Sequence, residues 1–179
     1  MKESNNAIII SAHFDHIGYQ DGKLIRGAID NASGVSVLLE SAKDLASKYK
    51  LKKPKYDIIF AAFNAEELGL IGSSKFVDDF KDKYDSWYNI NIDCIGIKGE
   101  GGLAVKNSDS KSQPLYDDFI EILEENNIYY EMVPYARNKE GRIVGSSDHM
   151  SFRINNDASL VVGQDGIVGI VHTKEDNMS

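Results

Sequence analysis

Side chains that could bind metal or move protons follow several short apolar runs of this sequence. His13 and Asp15 come after AIIISA (7–12), and Glu66 and Glu67 come after DIIFAAF (57–63). Short apolar runs rich in β-branched residues predict buried strands, and the carboxyl ends of parallel strands lie side by side. These side chains can therefore converge on one site. The same pattern adds Asp93 after WYNINI (87–92), His172 after IVGIV (167–171), and Asp30 just ahead of a predicted helix.

Five of these residues form a plausible set of metal ligands. His13 and His172 offer imidazole nitrogens, while Asp30, Glu67 and Asp93 offer carboxylate oxygens. A mixed nitrogen and oxygen set suits zinc, with manganese or cobalt as substitutes. Five ligands exceed the four of a structural zinc site. They fit two metals that share a bridging carboxylate, roughly 3.5–4 Å apart.

Two further carboxylates have roles in such a site. Asp15 lies two residues after His13, where it can hydrogen-bond the ring nitrogen that faces away from the metal. Glu66, next to Glu67, is left as a general base for the water that the metals activate. Taken singly, each residue also has an ordinary structural role, for example a helix cap at Asp30. The ordered set is what indicates chemistry.

Apolar periodicity predicts the elements that hold these residues. Leu38, Ala42, Leu45 and Tyr49 share one face of a helix, for which Ser33 is the predicted N-cap. Strands alternate with helices, which predicts an α/β three-layer sandwich with a mixed, largely parallel central sheet. The predicted strands cover residues 7–12, 57–63, 87–93, 102–105, 159–163 and 167–171, and the predicted helices cover 35–49, 66–80 and the region around 115–123.

Composition excludes several classes of function. The chain has 179 residues and a formal net charge of −8, which argues against nucleic acid as a partner because a phosphate backbone favours a basic surface. A single cysteine, Cys94, rules out an intrachain disulfide. No apolar run approaches the roughly 20 residues that span a bilayer. We expect residues 1–179 to form a single metallopeptidase catalytic domain, and the chain can be a fragment of something longer.

The ordered motifs resemble those of the co-catalytic zinc aminopeptidases of metallopeptidase family 28 (clan MH), which include bacterial leucyl aminopeptidases and glutamate carboxypeptidase II. The matching segments occur in family order and cover nearly the whole chain. They are SAHFDHIG (11–18), GAIDNASGVSVLLE (27–40), FNAEELGLIGS (63–73), NINIDCIG (89–96), SSDHMSF (146–152) and VHTKED (171–176).

The resemblance implies a role for each motif residue. His13 and Asp93 would hold one zinc, Glu67 and His172 the other, and Asp30 would bridge them through a carboxylate followed by a cis peptide bond. Glu66 would be the general base, Asp15 the partner of His13, and Asp148 and His149 would lie beside the substrate in either a catalytic or a structural role. His16 is left out of the ligand set because only its neighbourhood recommends it.

The function implied is removal of the N-terminal residue from a peptide that has a free N-terminus. The resemblance also suggests a secreted or cell-surface protein, and it implies that elements flanking the first and last histidine motifs are cut short. Three alternatives stay open. They are a one-zinc acyltransferase like glutaminyl cyclase, a carboxypeptidase or deacetylase that grips a carboxylate with an arginine, and a binding domain that has kept the fold. The candidate arginines are Arg26, Arg137, Arg142 and Arg153.

Overall fold

The computed structural model of the chain describes residues 4–97, 102–106, 109–131, 146–164, 166–167 and 169–178. The strands are β1 (Asn6–His13), β2 (Tyr19–Gln20), β3 (Lys23–Leu24), β4 (Asp57–Phe63), β5 (Ser86–Ile92), β6 (Leu103–Lys106), β7 (Tyr130–Glu131) and β8 (Ala158–Gln164). The helices are α1 (Gly34–Lys48), α2 (Ile71–Phe80), α3 (Gln113–Glu125) and α4 (His149–Ile154), and a π-helical segment, Ala28–Ser33, precedes α1. No helix within these described ranges is long and apolar enough to cross a bilayer.

Six strands form the central sheet in the order β4-β1-β5-β8-β6-β7. β4, β1, β5 and β8 run parallel, β6 is antiparallel to β8, and β7 is parallel to β6. The connection through α1 runs from β1 out to β4, and the connection through α2 runs back from β4 to β5. Because such crossovers are right-handed, α1 and α2 lie on opposite faces of the sheet. The predicted sandwich with a mixed, largely parallel sheet is confirmed.

An aromatic core packs between the sheet and the helices α2 and α4. Phe152 of α4 is fully buried and lies against Trp87 of β5, with ring centroids 5.4 Å apart. Phe76 of α2 contacts Phe63, Trp87 and Phe152. This core fixes the strands whose carboxyl ends carry the candidate site.

One predicted helix boundary and one predicted capping role near the site are wrong. The helix predicted over residues 66–80 begins only at Ile71, because Ala65 and Leu70 adopt left-handed backbone conformations (φ 59° and 61°) that helical periodicity does not reveal. Glu66 and Glu67 therefore lie in a turn after β4. Ser33 is not a side-chain cap of α1, because it is itself helical and its hydroxyl donates to the carbonyl oxygen of Ile29 at 2.6 Å.

The strand predicted over residues 167–171 is also wrong in the part that the structure describes. The amides of Ile170 and Val171 donate to the carbonyl oxygen of Ile167, at 3.0 and 3.3 Å, which are turn contacts. Gly169 (φ 104°) lets the chain curl there. His172 consequently enters the site from a turn.

Candidate metal centre

The order of the parallel strands explains why three of the motifs meet. β1 lies between β4 and β5, so His13 at its end lies between the turn that follows β4 and the residue that follows β5. Those neighbours carry Glu66, Glu67 and Asp93. The site forms beyond the carboxyl ends of the strands, as is usual for open α/β sheets.

Asp30 reaches the same place from the segment ahead of α1. The Asp30–Asn31 peptide bond is cis, as the resemblance implies. The Asn31 side chain is buried and donates to the carbonyl oxygen of Ile92 at 2.9 Å, and it accepts from the amides of Gly34 and Cys94 at 3.0 and 3.2 Å. Asn31 thus ties the segment that carries Asp30 to the end of the strand that leads to Asp93.

Asp30 is the centre of the cluster. Its Oδ1 lies 3.2 Å from Nε2 of His13, and its Oδ2 lies 2.9 Å from Nε2 of His172. Asp93 Oδ1 lies 3.5 Å from the same nitrogen of His13, and Glu67 Oε1 lies 3.0 Å from Nε2 of His172. The structure therefore brings together all five residues that the sequence suggests as ligands.

These side chains divide into two groups that share one member. His13, Asp30 and Asp93 form the first group, and Asp30, Glu67, His172 and also His16 form the second. Within each group the potential ligand atoms lie within 4.8 Å of one another. Each oxygen of Asp30 faces the histidine of a different group.

Burial and crowding of charge make the cluster electrostatically unusual. Burial, reinforced by Asp93, Asp148 and Glu67 and opposed by His13, raises the pKa of Glu66 to about 8. Burial and the neighbouring Asp30 also raise the pKa of Glu67. For His13, burial lowers the pKa, but hydrogen bonds to Asp30 and Asp93 outweigh it and raise the pKa to about 11. Carboxylates packed this closely disfavour their own ionisation, and divalent cations would relieve that repulsion.

The donor set fits divalent metal ions such as zinc. The two groups supply imidazole nitrogens and carboxylate oxygens, which are the ligand types of catalytic zinc sites. The shared carboxylate has one oxygen available to each group. His13 is 1% exposed and Asp30 8% exposed by side chain, whereas His172 is 49% exposed, so the first group is the deeper one.

Asp15 acts differently from the role that its spacing suggests. Nδ1 of His13 lies 3.1 Å from the backbone carbonyl oxygen of Asp15 but 3.6 Å from its carboxylate. The carboxylate instead accepts the amide hydrogens of Glu66 and Glu67, at 3.1 and 3.2 Å. One residue therefore orients the His13 ring and also holds the turn that presents both glutamates.

Asp93 is held by neighbours that the motif reading did not assign. The Cys94 thiol donates to Oδ1 of Asp93 at 3.1 Å. Burial raises the pKa of Asp93, but hydrogen bonding to His13, with help from Ser147 and Cys94, outweighs burial and lowers it. Asn91 donates to the Ser147 hydroxyl at 2.7 Å and so extends this support into the sheet.

Asp148 and His149 lie at the start of α4. Both are buried. Burial raises the pKa of Asp148 to about 6, and the charge of Asp148 contributes to the raised pKa of Glu66. Burial lowers the pKa of His149 to about 3, so this ring stays neutral, and its carbonyl oxygen accepts the Ser159 hydroxyl at 3.1 Å.

Asp176 is a further buried carboxylate that the motif VHTKED contains and the sequence reading passed over. It is 0% exposed. Its two oxygens accept the amide hydrogens of Ile29 and Asp30, at 2.6 and 3.2 Å. Asp176 thus fixes the backbone of Asp30 from the segment that also carries His172.

We expect Asp176→Asn to loosen this attachment, because an amide can accept only one of the two hydrogen bonds and turns its own donor toward an N–H group. The free energy of unfolding should fall by about 1–3 kcal/mol, the cost of an unsatisfied buried donor. Zinc affinity should fall by about 10–100-fold, as for other partners of metal ligands. Urea denaturation and zinc titration measure the two effects. The exposed neighbour Glu175→Gln is the control, and equal behaviour of the two variants would contradict this role.

Comparison with known proteins identifies the family of this chain. The sequence model of the family described as Peptidase family M28 matches residues 1–179. The chain belongs to peptidase family M28. Among curated relatives of this M28 chain, aminopeptidase YwaD of Bacillus subtilis (strain 168) is 34% identical over 149 residues. The match covers 81% of this chain and 29% of YwaD.

Solved structures share the fold of this M28 chain. A zinc aminopeptidase from Bacillus subtilis, BSAP, superposes with a TM-score of 0.75 at 29% identity, covering 96% of this chain and 40% of BSAP. A glutaminyl cyclase from Fimbriiglobus ruber superposes with a TM-score of 0.74 at 17% identity, covering 98% of this chain and 65% of the cyclase. At that identity the cyclase shows the common fold alone. The chain spans less than half the length of these matches from Bacillus subtilis.

Proposed function

We propose that this M28 chain carries the catalytic site of a two-zinc aminopeptidase, which removes the N-terminal residue from peptides. The observation that carries the proposal is the pair of ligand groups sharing Asp30. A shared carboxylate with one oxygen toward each group is what two adjacent metal ions require. His13, Asp30 and Asp93 would hold one zinc, and Asp30, Glu67 and His172 the other.

When bound, the two zinc ions would polarise the scissile carbonyl group and lower the pKa of a water molecule. The chain itself supplies the proton transfer. The carboxylate of Glu66 takes the proton from the attacking water and then gives it to the nitrogen of the leaving amine. Without metal ions, burial and the neighbouring carboxylates raise the pKa of Glu66 to about 8. Bound divalent cations would favour the carboxylate form of Glu66, which is the form that accepts a proton.

Residues around Glu66 hold it in position. The carboxylate of Asp15 holds the amides of Glu66 and Glu67, so the general base and a metal ligand keep a fixed relation. Asp148 lies near Glu66 as a second buried carboxyl group. This excess of carboxylates favours a substrate with a cationic amino terminus over one with a free carboxylate.

Two of the alternatives lose support from specific contacts. Glutaminyl cyclase chemistry with one zinc leaves the contacts of His13 with both Asp30 and Asp93 without a purpose. A carboxypeptidase needs a cation for the substrate carboxylate, but Arg153 pairs with Asp109 at 3.1 Å. Arg26 is exposed, and Arg137 and Arg142 lie outside the described residues.

Matched substrates test the proposal. With zinc added, leucine p-nitroanilide should release nitroaniline, whereas N-acetyl-leucine p-nitroanilide should react at least about 10²-fold more slowly, because its amine can no longer be bound as a cation. A panel of other aminoacyl anilides then measures side-chain preference. Equal rates on the free and blocked substrates would contradict aminopeptidase action, and cyclisation of a glutaminyl peptide without hydrolysis would favour the cyclase.

A further inference from the structure

His16 is buried beside the second group of ligands. Its side chain is 10% exposed, and its Nδ1 lies 3.2 Å from Oε1 of Glu67. The same glutamate oxygen lies 3.0 Å from Nε2 of His172. The two imidazole rings meet edge to face, with centroids 5.7 Å apart and an angle of 63° between planes. Two ring nitrogens therefore converge on one carboxylate oxygen.

The contact between His16 and Glu67 is short but is not a hydrogen bond. Within the described part of the chain, neither ring nitrogen of His16 has a hydrogen-bond partner, although both are buried. Burying an imidazole whose ring nitrogens make no hydrogen bond is costly, so such a group calls for an explanation. Two atoms that lie close together without pointing at each other are expected when both point at a common cation.

The backbone around Asp30 is shaped to the His16 ring. Gly27 has a left-handed conformation (φ 67°), and a Cβ atom there would lie 2.6 Å from Cγ and 2.9 Å from Cδ2 of His16. The same Cβ atom would also lie 2.5 Å from the carbonyl oxygen of Asp30, so a side chain at position 27 would displace the ring, the Asp30 backbone or both. Gly27 also begins the segment that leads to Asp30, so the ring and the shared ligand are packed as one unit.

We propose that His16 is a fourth protein ligand of the metal ion held by Asp30, Glu67 and His172. The inference rests on the proposed two-metal function and makes the two positions chemically unequal. One position has a single imidazole and two carboxylates, and the other has two imidazoles and two carboxylates. Four protein ligands make a closed zinc site, whereas three leave an open position.

This inequality divides the work between the two ions. The ion with four protein ligands is the more tightly retained one. The open position falls to the ion held by His13, Asp30 and Asp93.

Metal binding tests the proposal without reference to activity. Metal-free protein is titrated with Zn²⁺ against a chelator, and with Co²⁺ while its visible absorption is followed. The unmodified chain should bind two ions in two affinity classes. His16→Ala should weaken the tighter class by at least about 10-fold, the lower end of the effect of losing even an outer partner. The same variant should change the visible absorption of the first Co²⁺ ion bound. The affinity of the weaker class of ion should stay unchanged. His16→Asp, which offers a ligand oxygen, should restore part of the affinity.

Different results would contradict the ligand role of His16 and the two-metal function on which it rests. If the unmodified chain binds two ions and His16→Ala binds both with the same affinities and the same Co²⁺ spectrum, His16 is not a ligand. If the unmodified chain binds one ion and His16→Ala weakens it, His16 is a ligand and the two-metal function is wrong. Binding of no ion overturns both.

Nuclear magnetic resonance of ¹⁵N-labelled histidine gives a test that needs no variant. The chain has four histidines. Zinc should shift a ring nitrogen of His13, His16 and His172 into the range of metal-bound imidazole. His149 is buried and belongs to neither ligand group, so its signals should stay unchanged as an internal control. A His16 signal that does not respond to two equivalents of zinc overturns the proposal.

Discussion

Glu66→Gln should bind zinc like the unmodified chain and yet turn over substrate about 10²–10⁴-fold more slowly, the usual effect of losing a general base. The amide keeps the shape of the side chain but cannot accept a proton. Its backbone amide still donates to Asp15, so the turn and Glu67 should stay in place. Zinc titration and initial rates on leucine p-nitroanilide measure the two properties separately.

Glu67→Gln is the matched control, because it makes the same chemical change one residue along the same turn. Glu67 lies 3.0 Å from His172 and belongs to the second ligand group, so this variant should lose affinity for one zinc ion. Its activity should recover in part when zinc is raised, whereas that of Glu66→Gln should not. Normal turnover by Glu66→Gln, with equal loss of zinc in both variants, would show that the two roles are misassigned.

Asp30→Ala should have the larger effect on metal content, because it removes the one carboxylate that belongs to both groups. We expect loss of both zinc ions at concentrations that saturate the unmodified chain, and a fall in turnover beyond that of Glu66→Gln. His13 and His172 would also lose their contacts of 3.2 and 2.9 Å with Asp30. Zinc content after gel filtration, measured by atomic emission, checks the result.

Asp30→Asn refines this experiment, since the amide retains one oxygen that can serve one metal. We expect it to keep one zinc and lose the other. Asp44→Ala, at an exposed position on α1, should keep both and controls for the general effect of removing an acidic residue. If Asp30→Ala retained one ion at full affinity, the two groups would not depend on a shared ligand.

Much of the fold follows from local patterns. AIIISA and DIIFAAF become β1 and β4 because short apolar runs with turn signals at both ends are buried on two faces in a parallel sheet. The convergence of His13, Glu67 and Asp93 follows from the same inference, since parallel neighbours end at one edge. Residues whose placement depends on strand ends were therefore within reach of the sequence.

The backbone conformations that carry Glu66, Glu67 and His172 were not within reach, although the residues themselves were. The left-handed conformations of Ala65 and Leu70, which put Glu66 and Glu67 in a turn, leave no periodic signal. The apolar composition of residues 167–171 predicts a strand, but the chain turns at Gly169 and so carries His172 into the site. Glycine in an apolar run was the available signal, because glycine inside a strand pattern often marks a bend.

Long-range partners of the ligands were the hardest to foresee. Asp176 acts on the amides of Ile29 and Asp30, which lie far away in the chain. The sequence does not mark His16 as a ligand, because adjacency to a motif is weak evidence by itself. Its importance depends on burial against Glu67 and His172 and on the space left by Gly27. Such contacts are properties of the tertiary structure and have no counterpart in sequence spacing.

The most direct test of the two-metal centre is anomalous diffraction at the zinc absorption edge, from crystals of the full chain grown with excess Zn²⁺. We predict two anomalous peaks about 3.5–4 Å apart, the spacing of co-catalytic metal pairs. One peak should lie among His13, Asp30 and Asp93, and the other among Asp30, Glu67 and His172, with the Asp30 carboxylate between them. A single peak, or two peaks that do not share Asp30, would contradict the two-metal site.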